Sequence, residues 1–256
     1  MSNPSKLPDI PNILAAKLAA ANRWVVVTGS GVSAESGVPT FRDAQTGIWT
    51  KHSPEDLATS QAFEANPALV WKWYVWRREL IKKAQPNAAH RALASLAQLK
   101  PDLSLVTQNV DGLHQRAGNK NVIEFHGNIW HEKCFSCNRH STSLEKYSEQ
   151  PPRCEICNGL LRPNVVWFGE AIPEEALASA SLAAAQSDVF LSVGTSSLVY
   201  PAAGLAEIAL QKKATIIEIN TNATPLTTKT DYSLKGLATL WLPAITAHVK
   251  RSIENH

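Results

Sequence analysis

Residues 24–28 read Trp-Val-Val-Val-Thr and run directly into Gly29-Ser30-Gly31-Val32-Ser33-Ala34-Glu35-Ser36-Gly37-Val38-Pro39. An uncharged, β-branched run of this kind suits a strand buried on both faces of a parallel sheet. Gly29 and Gly31 let the backbone turn tightly and approach a ligand. The spacing Gly29-x-Gly31-x-x-Ala34 fits the dinucleotide fingerprint in its Gly/Ala form. Ser33 and the free N–H groups of a following helix can receive phosphate. A plain tight turn fits the same letters. The loop continues through small and polar residues before regular patterning resumes, which is long for a connection with no ligand to cover. A hydride-transfer enzyme carries an acidic residue at the end of a second strand, about 20 positions on, to hold a ribose. Here that region is Ile48-Trp49-Thr50-Lys51-His52-Ser53-Pro54-Glu55, which is polar, broken by proline and not strand-like. A nucleotide is therefore expected, bound differently from that of an ordinary nicotinamide-dependent dehydrogenase.

The four cysteines, Cys134, Cys137, Cys154 and Cys157, fall in one short segment as two Cys-x-x-Cys pairs. A disulfide framework would spread its cysteines along a small secreted chain. Two such pairs form the tetrathiolate zinc pattern, each clasping the ion from a tight knuckle. Cys157-Asn158-Gly159 supplies turn residues for one knuckle. Four thiolates leave no open position, so the site is expected to be structural. A redox dithiol would need only one pair.

With 256 residues the chain can bury a full core, as one large domain or a large one with an appendage. A net charge of +3 gives no nucleic-acid footprint. No apolar run approaches the ~20 residues of a membrane span. Met1 to Pro11 carries three prolines and no apolar signal core, so a loose lead-in and a soluble, cytoplasmic protein are expected. Helical spacing marks Ile10 to Asn22, Pro54 to Lys83 with a break near Asn66-Pro67, Pro86 to Gln98, Pro173 to Gln186 and Pro201 to Lys212. Compact apolar runs at 24–28, 103–107, 122–125, 165–168, 189–194 and 214–220 read as strands. This alternation predicts an α/β fold with a Rossmann-like parallel sheet. The zinc segment and the Trp-rich stretch near 44–76 interrupt it as insertions that build a smaller zinc-binding and helical lobe. The expected division is a nucleotide-binding domain of residues 10–43, 77–128 and 164–256, a helical insertion at 44–76 and a zinc module at 129–163. Polar clusters follow the strands at Thr107-Gln108-Asn109-Val110-Asp111, His126-Gly127, Gly194-Thr195-Ser196 and Asn220-Thr221-Asn222, where ligand crevices lie in such sheets.

Taken together, the segment Gly29 to Arg42, the run Thr107 to His114, Phe125-His126-Gly127, the four cysteines, Gly194-Thr195-Ser196 and Ile219-Asn220-Thr221 resemble the sirtuin (Sir2) family of NAD-dependent protein deacylases. The resemblance extends from Trp24 to about Pro243. Ser30 stands where the family usually has alanine, and Phe125 where leucine is common; both changes are conservative. The resemblance implies NAD as cofactor, one structural Zn2+ ion and acylated-lysine proteins as partners, with no direct nucleic-acid or membrane binding. It implies His126 as the general base that activates a ribose hydroxyl to attack an imidate. That imidate forms when the acyl oxygen displaces nicotinamide; the products are nicotinamide, free lysine and O-acyl-ADP-ribose. Asn109 and Asp111 would hold the nicotinamide carboxamide. Gln108 and the first loop would hold the ribose, Ser33 with Thr195 or Ser196 the phosphates, and Asn220 the adenosine ribose. Gly29, Ser30, Gly31, Ala34, Glu35, Thr40, Phe41, Arg42, Trp49, Val110, Gly194, Thr221, Asn222 and Ala238 complete the expected cofactor contacts. The run Val165-Val166-Trp167-Phe168-Gly169-Glu170 resembles the family strand that pairs with substrate backbone. His114 is expected to orient its loop. A protein ADP-ribosyltransferase would use the same nicotinamide departure, and a zinc-ribbon binding module would not need Asn109, Asp111 and His126.

Tyr74 and Arg77, three apart on an expected helix, project from one face. Within Trp73-Tyr74-Val75-Trp76-Arg77 they resemble the Tyr-x-x-Arg pair of the sirtuin subgroup that removes succinyl and malonyl groups. A guanidinium grips a carboxylate as a fork, and a phenol adds one directed hydrogen bond. Ala58, in Asp56-Leu57-Ala58-Thr59, resembles the small residue that widens the acyl channel in that subgroup. Arg77 on a solvated face and Tyr74 packed among tryptophans is the plainer reading of the same residues.

Overall fold

The structure is a computed structural model that describes residues 7–39, 53–141 and 150–255. Its elements in chain order are α1 (Asn12–Ala20), β1 (Trp24–Thr28), α2 (Gly31–Ala34), α3 (Pro54–Leu57), α4 (Ser60–Ala65), α5 (Pro67–Lys83), α6 (Ala88–Leu99), β2 (Leu103–Thr107), α7 (Leu113–Arg116), β3 (Val122–Glu124), β4 (Gly127–Cys134), β5 (His140–Ser141), β6 (Leu161–Val165), α8 (Glu174–Gln186), β7 (Val189–Val193), α9 (Gly204–Gln211), β8 (Thr215–Asn220), β9 (Tyr232–Lys235) and α10 (Ala238–Glu254).

Six strands form one parallel sheet in the order β3-β2-β1-β7-β8-β9. Every residue of β1 and β7 is buried, as the charge-free runs require. Side chains alternate between two cores. Val26, Leu105, Leu191 and Ile217 pack with Leu14 of α1, Leu93 of α6 and Leu242 of α10. Val25, Val27, Val106, Phe190 and Ile216 pack with Ala180 and Ala184 of α8 and Ala206 and Ala209 of α9. Thr28 lies level with Thr107 on one side and Val193 on the other, so the three central strands end together. The chain order reverses between β1 and β7, which is where a doubly wound sheet opens a crevice at its carboxyl edge.

The loops leaving β1 and β7 meet there backbone to backbone. Gly29 donates its N–H to Val193 O at 3.0 Å, and Gly31 donates to Gly194 O at 2.9 Å. A Cβ on Gly31 would stand 2.8 Å from Gly194 Cα, and one on Gly29 would stand 2.8 Å from Gly194 O. Gly194 itself has φ +59 and would meet Val32 N at 2.7 Å. The glycines are thus demanded by the neighbouring loop, a closer constraint than approach to a ligand.

A second, three-stranded sheet of order β5-β4-β6 belongs to the smaller lobe. Its core joins Leu57 and Ala58 beside α3, Phe63 of α4, Val70, Trp73, Tyr74 and Ile81 of α5, Ile129 of β4, and Val165 and Trp167. Asn66 caps α5 by accepting from Leu69 N–H, and Pro67 opens it, which is why the helical pattern breaks where expected. Helix α5 is continuous across residues 76 and 77, and β4 and β6 likewise run through 128/129 and 163/164. The expected strand 165–168 ends at Val165; beyond it only single contacts persist, Val166 N–H to His126 O and a bridge between Thr59 and Phe168. Strand β9 and helix α10 have no counterpart in the sequence reading.

Gly31→Ala should cost about 1–3 kcal/mol through the forced backbone shift, lowering the thermal midpoint by roughly 2–10 °C. An unchanged midpoint in a thermal melt would show that the two loops do not need to touch.

Candidate active site

Three polar clusters occupy the carboxyl edge of the sheet. In the first, Ser33 is buried and its hydroxyl is saturated. His90 Nδ1 lies 3.3 Å from Asn87 N and 3.0 Å from Asn87 Oδ1, while its Nε2 faces Ser33 Oγ at 3.3 Å. Asn109 Nδ2 donates to the same oxygen at 3.1 Å and to Gly29 O at 3.0 Å. Ser33 then donates to Asp111 Oδ2 at 2.7 Å, whose other oxygen accepts from Leu113 N–H at 2.8 Å. Burial raises the Asp111 carboxyl, against the pull of the Leu113 N–H and the Ser33 hydroxyl. Ser33 therefore turns inward to Asp111 instead of offering a free hydroxyl. The helix start also differs from expectation: the N–H groups of Gly31, Val32 and Ser33 go to Gly194 O, Gly29 O and Ser30 O.

Beneath this cluster Thr28 Oγ1 lies 2.9 Å from Thr107 Oγ1 and 3.0 Å from His114 Nε2. Burial holds the His114 pKa down to about 3, with His90 adding to it. His90 is held down to about 4, first by burial and then by Arg91. The His114 ring thus joins α7 to the end of β1. His90 and Thr28 were not singled out from the sequence; Asn87-x-x-His90 at a helix start was the signal available, since it forms a capping box.

The second cluster holds His126, half-buried just past β3. Its Nδ1 lies 3.1 Å from Gln108 O. A carbonyl only accepts, so Nδ1 carries the proton and Nε2 presents a lone pair. Burial lowers the imidazole pKa below 6.5, partly offset by the Gln108 carbonyl. The ring is therefore neutral near pH 7 and able to take a proton. Gly127, at φ +78, admits no side chain, because a Cβ would collide with Asn164 O. Strand β4 also pins the neighbouring loop: Ile129 N–H donates to Val110 O at 2.9 Å, and Trp130 Nε1 to Asp111 O at 2.8 Å.

The third cluster centres on Thr195. Gln108 Nε2 donates to its hydroxyl at 2.9 Å, and Asn220 Nδ2 to its carbonyl at 2.8 Å. Ser196 is half-buried beside it, while Thr221 and Asn222 are exposed past β8. Ser30 is half-buried, and Ala34 and Glu35 are exposed at the mouth; Glu35 accepts from Thr239 one residue beyond Ala238. Thr40, Phe41, Arg42 and Trp49 lie outside the described residues.

In the small lobe Tyr74 is buried, and its hydroxyl accepts from Trp167 Nε1 at 2.8 Å. Half-buried Arg77 lies 5.0 Å over the Trp73 ring. Burial lowers the Arg77 pKa, while Tyr74 and Asp111 favour its charge. Ala58 is buried and its carbonyl accepts from Phe168 N–H at 2.9 Å. Gly169 and Phe168 are exposed, and Glu170 is half-buried in an ion pair with Arg162.

The four cysteine sulfurs lie within 4.8 Å of one another. Cys134 and Cys157 are 3.4 Å apart and Cys137 and Cys154 3.8 Å, near the ~3.8 Å edge of a tetrahedron with Zn–S of about 2.3 Å. Both knuckles close alike: Asn138 and Asn158, at φ 56 and 61, return their N–H groups to Cys134 O and Cys154 O. Backbone N–H groups of Cys157 and Ile156 aim at Cys154 and hold its thiol below the ordinary range. The donor set fits a closed zinc site.

The family model for the Sir2 family matches residues 29–201, which takes in Ser33, Asn109, Asp111, His126, Thr195 and the cysteines and ends before Asn220. This chain is a member of the Sir2, or sirtuin, family. An NAD-dependent protein deacylase of Aquifex aeolicus (strain VF5) is 50% identical to this sirtuin over 222 residues, covering 86% of this chain and 92% of that protein. A Sir2 homologue solved in complex with NAD has a TM-score of 0.89 at 45% identity, covering 96% of each chain. Another, solved with 2'-O-acetyl ADP ribose, has a TM-score of 0.89 at 45% identity, covering 95% of this chain and 98% of that one. Among the described residues no helix is long and apolar enough to cross a membrane.

Metal analysis should find about one zinc per chain. Cys154→Ser should lose it and lower the thermal midpoint by on the order of 10 °C. Full stability without bound zinc would remove the metal from this architecture.

Proposed function

We propose that this sirtuin is an NAD-dependent protein-lysine deacylase that removes succinyl and malonyl groups, and acetyl groups as well. The products are nicotinamide, the free lysine and O-acyl-ADP-ribose. The observation that carries the reading is His126, a neutral imidazole whose Nδ1 proton is committed to Gln108 O and whose Nε2 keeps a lone pair. NAD supplies the ribose carbon that accepts the acyl oxygen, with nicotinamide as leaving group. The chain's own residues do the rest.

Asn109 and Asp111, fixed through Ser33 and by Trp130 from β4, hold the carboxamide end and keep water out. Gln108 and the first loop, with Gly29, Ser30, Gly31, Ala34 and Glu35, line the ribose. Thr195 and Ser196 serve the phosphates, and Asn220, Thr221 and Asn222 the adenosine ribose. His126 takes a proton from a ribose hydroxyl, a task suited to a base with pKa near working pH. The backbone from Val165 to Glu170 receives the substrate chain as an added strand. Residues 10–43, 77–128 and 164–256 serve as the cofactor-binding part; 44–76 and 129–163 form its cover.

Tyr74 and Arg77 receive the acyl carboxylate. Burial raises the phenol pKa to about 12, against the pull of Arg77, so Tyr74 stays a neutral donor. Arg77 remains cationic beside it. Buried Ala58 leaves room for the longer acyl chain.

Matched succinyl- and acetyl-lysine peptides, with and without NAD, followed by mass spectrometry, test the reading. Loss of acyl with formation of O-acyl-ADP-ribose is expected; ADP-ribose gained by the peptide would make the chain a transferase of the other kind. His126→Ala should lower kcat/KM by about 100- to 10,000-fold. In the intact enzyme the acid limb should fall below pH 6.5, since protonation of Nε2 removes the base as pH drops through a lowered pKa. Tyr74→Phe with Arg77→Met should cut desuccinylation by roughly 100- to 10,000-fold, far more than deacetylation, by removing two charge-assisted hydrogen bonds of roughly 1.5–3 kcal/mol each. Equal loss on both acyl groups would remove the carboxylate anchor.

A further inference from the structure

Building on the acyl specificity proposed above, we infer that Trp167 is a positioning residue for acyl choice: it aims the Tyr74 hydroxyl proton into the acyl channel. The direction follows from donor chemistry. An indole N–H can only donate, and Trp167 Nε1 lies 2.8 Å from Tyr74 Oη. The phenol oxygen is therefore an acceptor on that side, and its own proton must turn away from the indole. Among the described residues no protein group accepts that proton. It is left for a ligand beside Arg77, and a carboxylate accepts both a phenol proton and a guanidinium fork.

Trp167 is held so that it cannot adjust. Its backbone N–H donates to Glu170 Oε2 at 2.9 Å. The Arg162 guanidinium lies 3.1 Å over its ring and is itself tied to Glu170, with Arg162 NH2 at 3.0 Å from Oε2 and 2.7 Å from Val165 O. Phe63 packs against the ring at 5.4 Å, and Trp167 is only 1% exposed. A buried phenylalanine would fill most of this space; only the N–H distinguishes tryptophan here. Without it the Tyr74 hydroxyl can rotate and spend its proton elsewhere, while Arg77 keeps its charge. Selectivity for an acidic acyl group then weakens without loss of the base or of the cofactor site.

The test compares kcat and KM for matched succinyl- and acetyl-lysine peptides in the wild type, Trp167→Phe, Tyr74→Phe and the double variant. Trp167→Phe should raise the succinyl KM about 3- to 10-fold, the weight of one oriented hydrogen bond. The succinyl-to-acetyl ratio of kcat/KM should fall by a similar factor. In the Tyr74→Phe background the ratio should fall no further, because the indole then has no hydroxyl to aim. An equal loss on both peptides, or additive losses in the double variant, would overturn the role of Trp167 while the carboxylate anchor stands. A ratio unmoved by Tyr74→Phe with Arg77→Met would sink the anchor itself, and this role with it. Should Trp167→Phe fail to fold, 3-benzothienylalanine at position 167 replaces only the N–H by sulfur, and the same ratio decides.

Discussion

The site depends on a contact with no side chains in it. Gly29 and Gly31 on one loop and Gly194 on the other approach so closely that a methyl group on any of them would strike backbone. That contact sets the distance between the ends of β1 and β7 at the point where the sheet changes direction. Once it is made, Asn109 can reach Gly29 O, Gln108 can reach the Thr195 hydroxyl, and Asn220 can reach the Thr195 carbonyl. Amides from two strand ends are thereby locked into one surface before any ligand arrives, which is the preorganisation that binding and catalysis both need.

Strand β4 joins this surface to the metal module. Gly127 at its start follows His126, Ile129 and Trp130 grip the Val110–Asp111 loop, and Cys134 at its end belongs to the four-cysteine cluster. Glu132 in the same strand pairs with Arg78 of α5, whose Nε also donates to Ile129 O at 2.7 Å. Burying such a pair gains little net stability, because two charges must be stripped of water. What it fixes is the register of α5, and so the place of Tyr74 and Arg77, against the strand that carries the metal. The four-cysteine module is thereby tied through β4 to the helix that carries Tyr74 and Arg77.

The sheet was legible because its strands are charge-free and its helices periodic; Val25 to Val27 and Val189 to Val193 could only be buried on both faces. The polar ends of those strands marked the site for the same reason. Strand β4 was hidden: Glu132 and Lys133 in Gly127 to Cys134 break any apolar run, and the charge of Glu132 is answered only in space, by Arg78. The Gly-x-Gly spacing pointed to the right loop with an incomplete reason, since only the fold reveals that Gly194 stands opposite. Ser33 resembled a phosphate donor, yet its neighbours Asn109 and His90, distant in sequence, turn it inward. Arg162, a lone charge among Leu160, Leu161 and Val165, was the one overlooked residue whose sequence context already asked for a buried partner.

Burial also explains how neighbouring groups end in different protonation states. It disfavours charge in every case. For His126 that means a fall below 6.5, and for Tyr74 a rise to about 12, so both are neutral near pH 7. One is then a base with a free lone pair, the other a donor that keeps its proton. Arg77 is pushed the same way as His126, but it starts so high that it remains cationic. A single physical cause thus leaves His126 and Tyr74 neutral while Arg77 keeps its charge. Under the acyl specificity proposed above, a chain ending in a carboxylate would meet that cation, whereas an acetyl group would not.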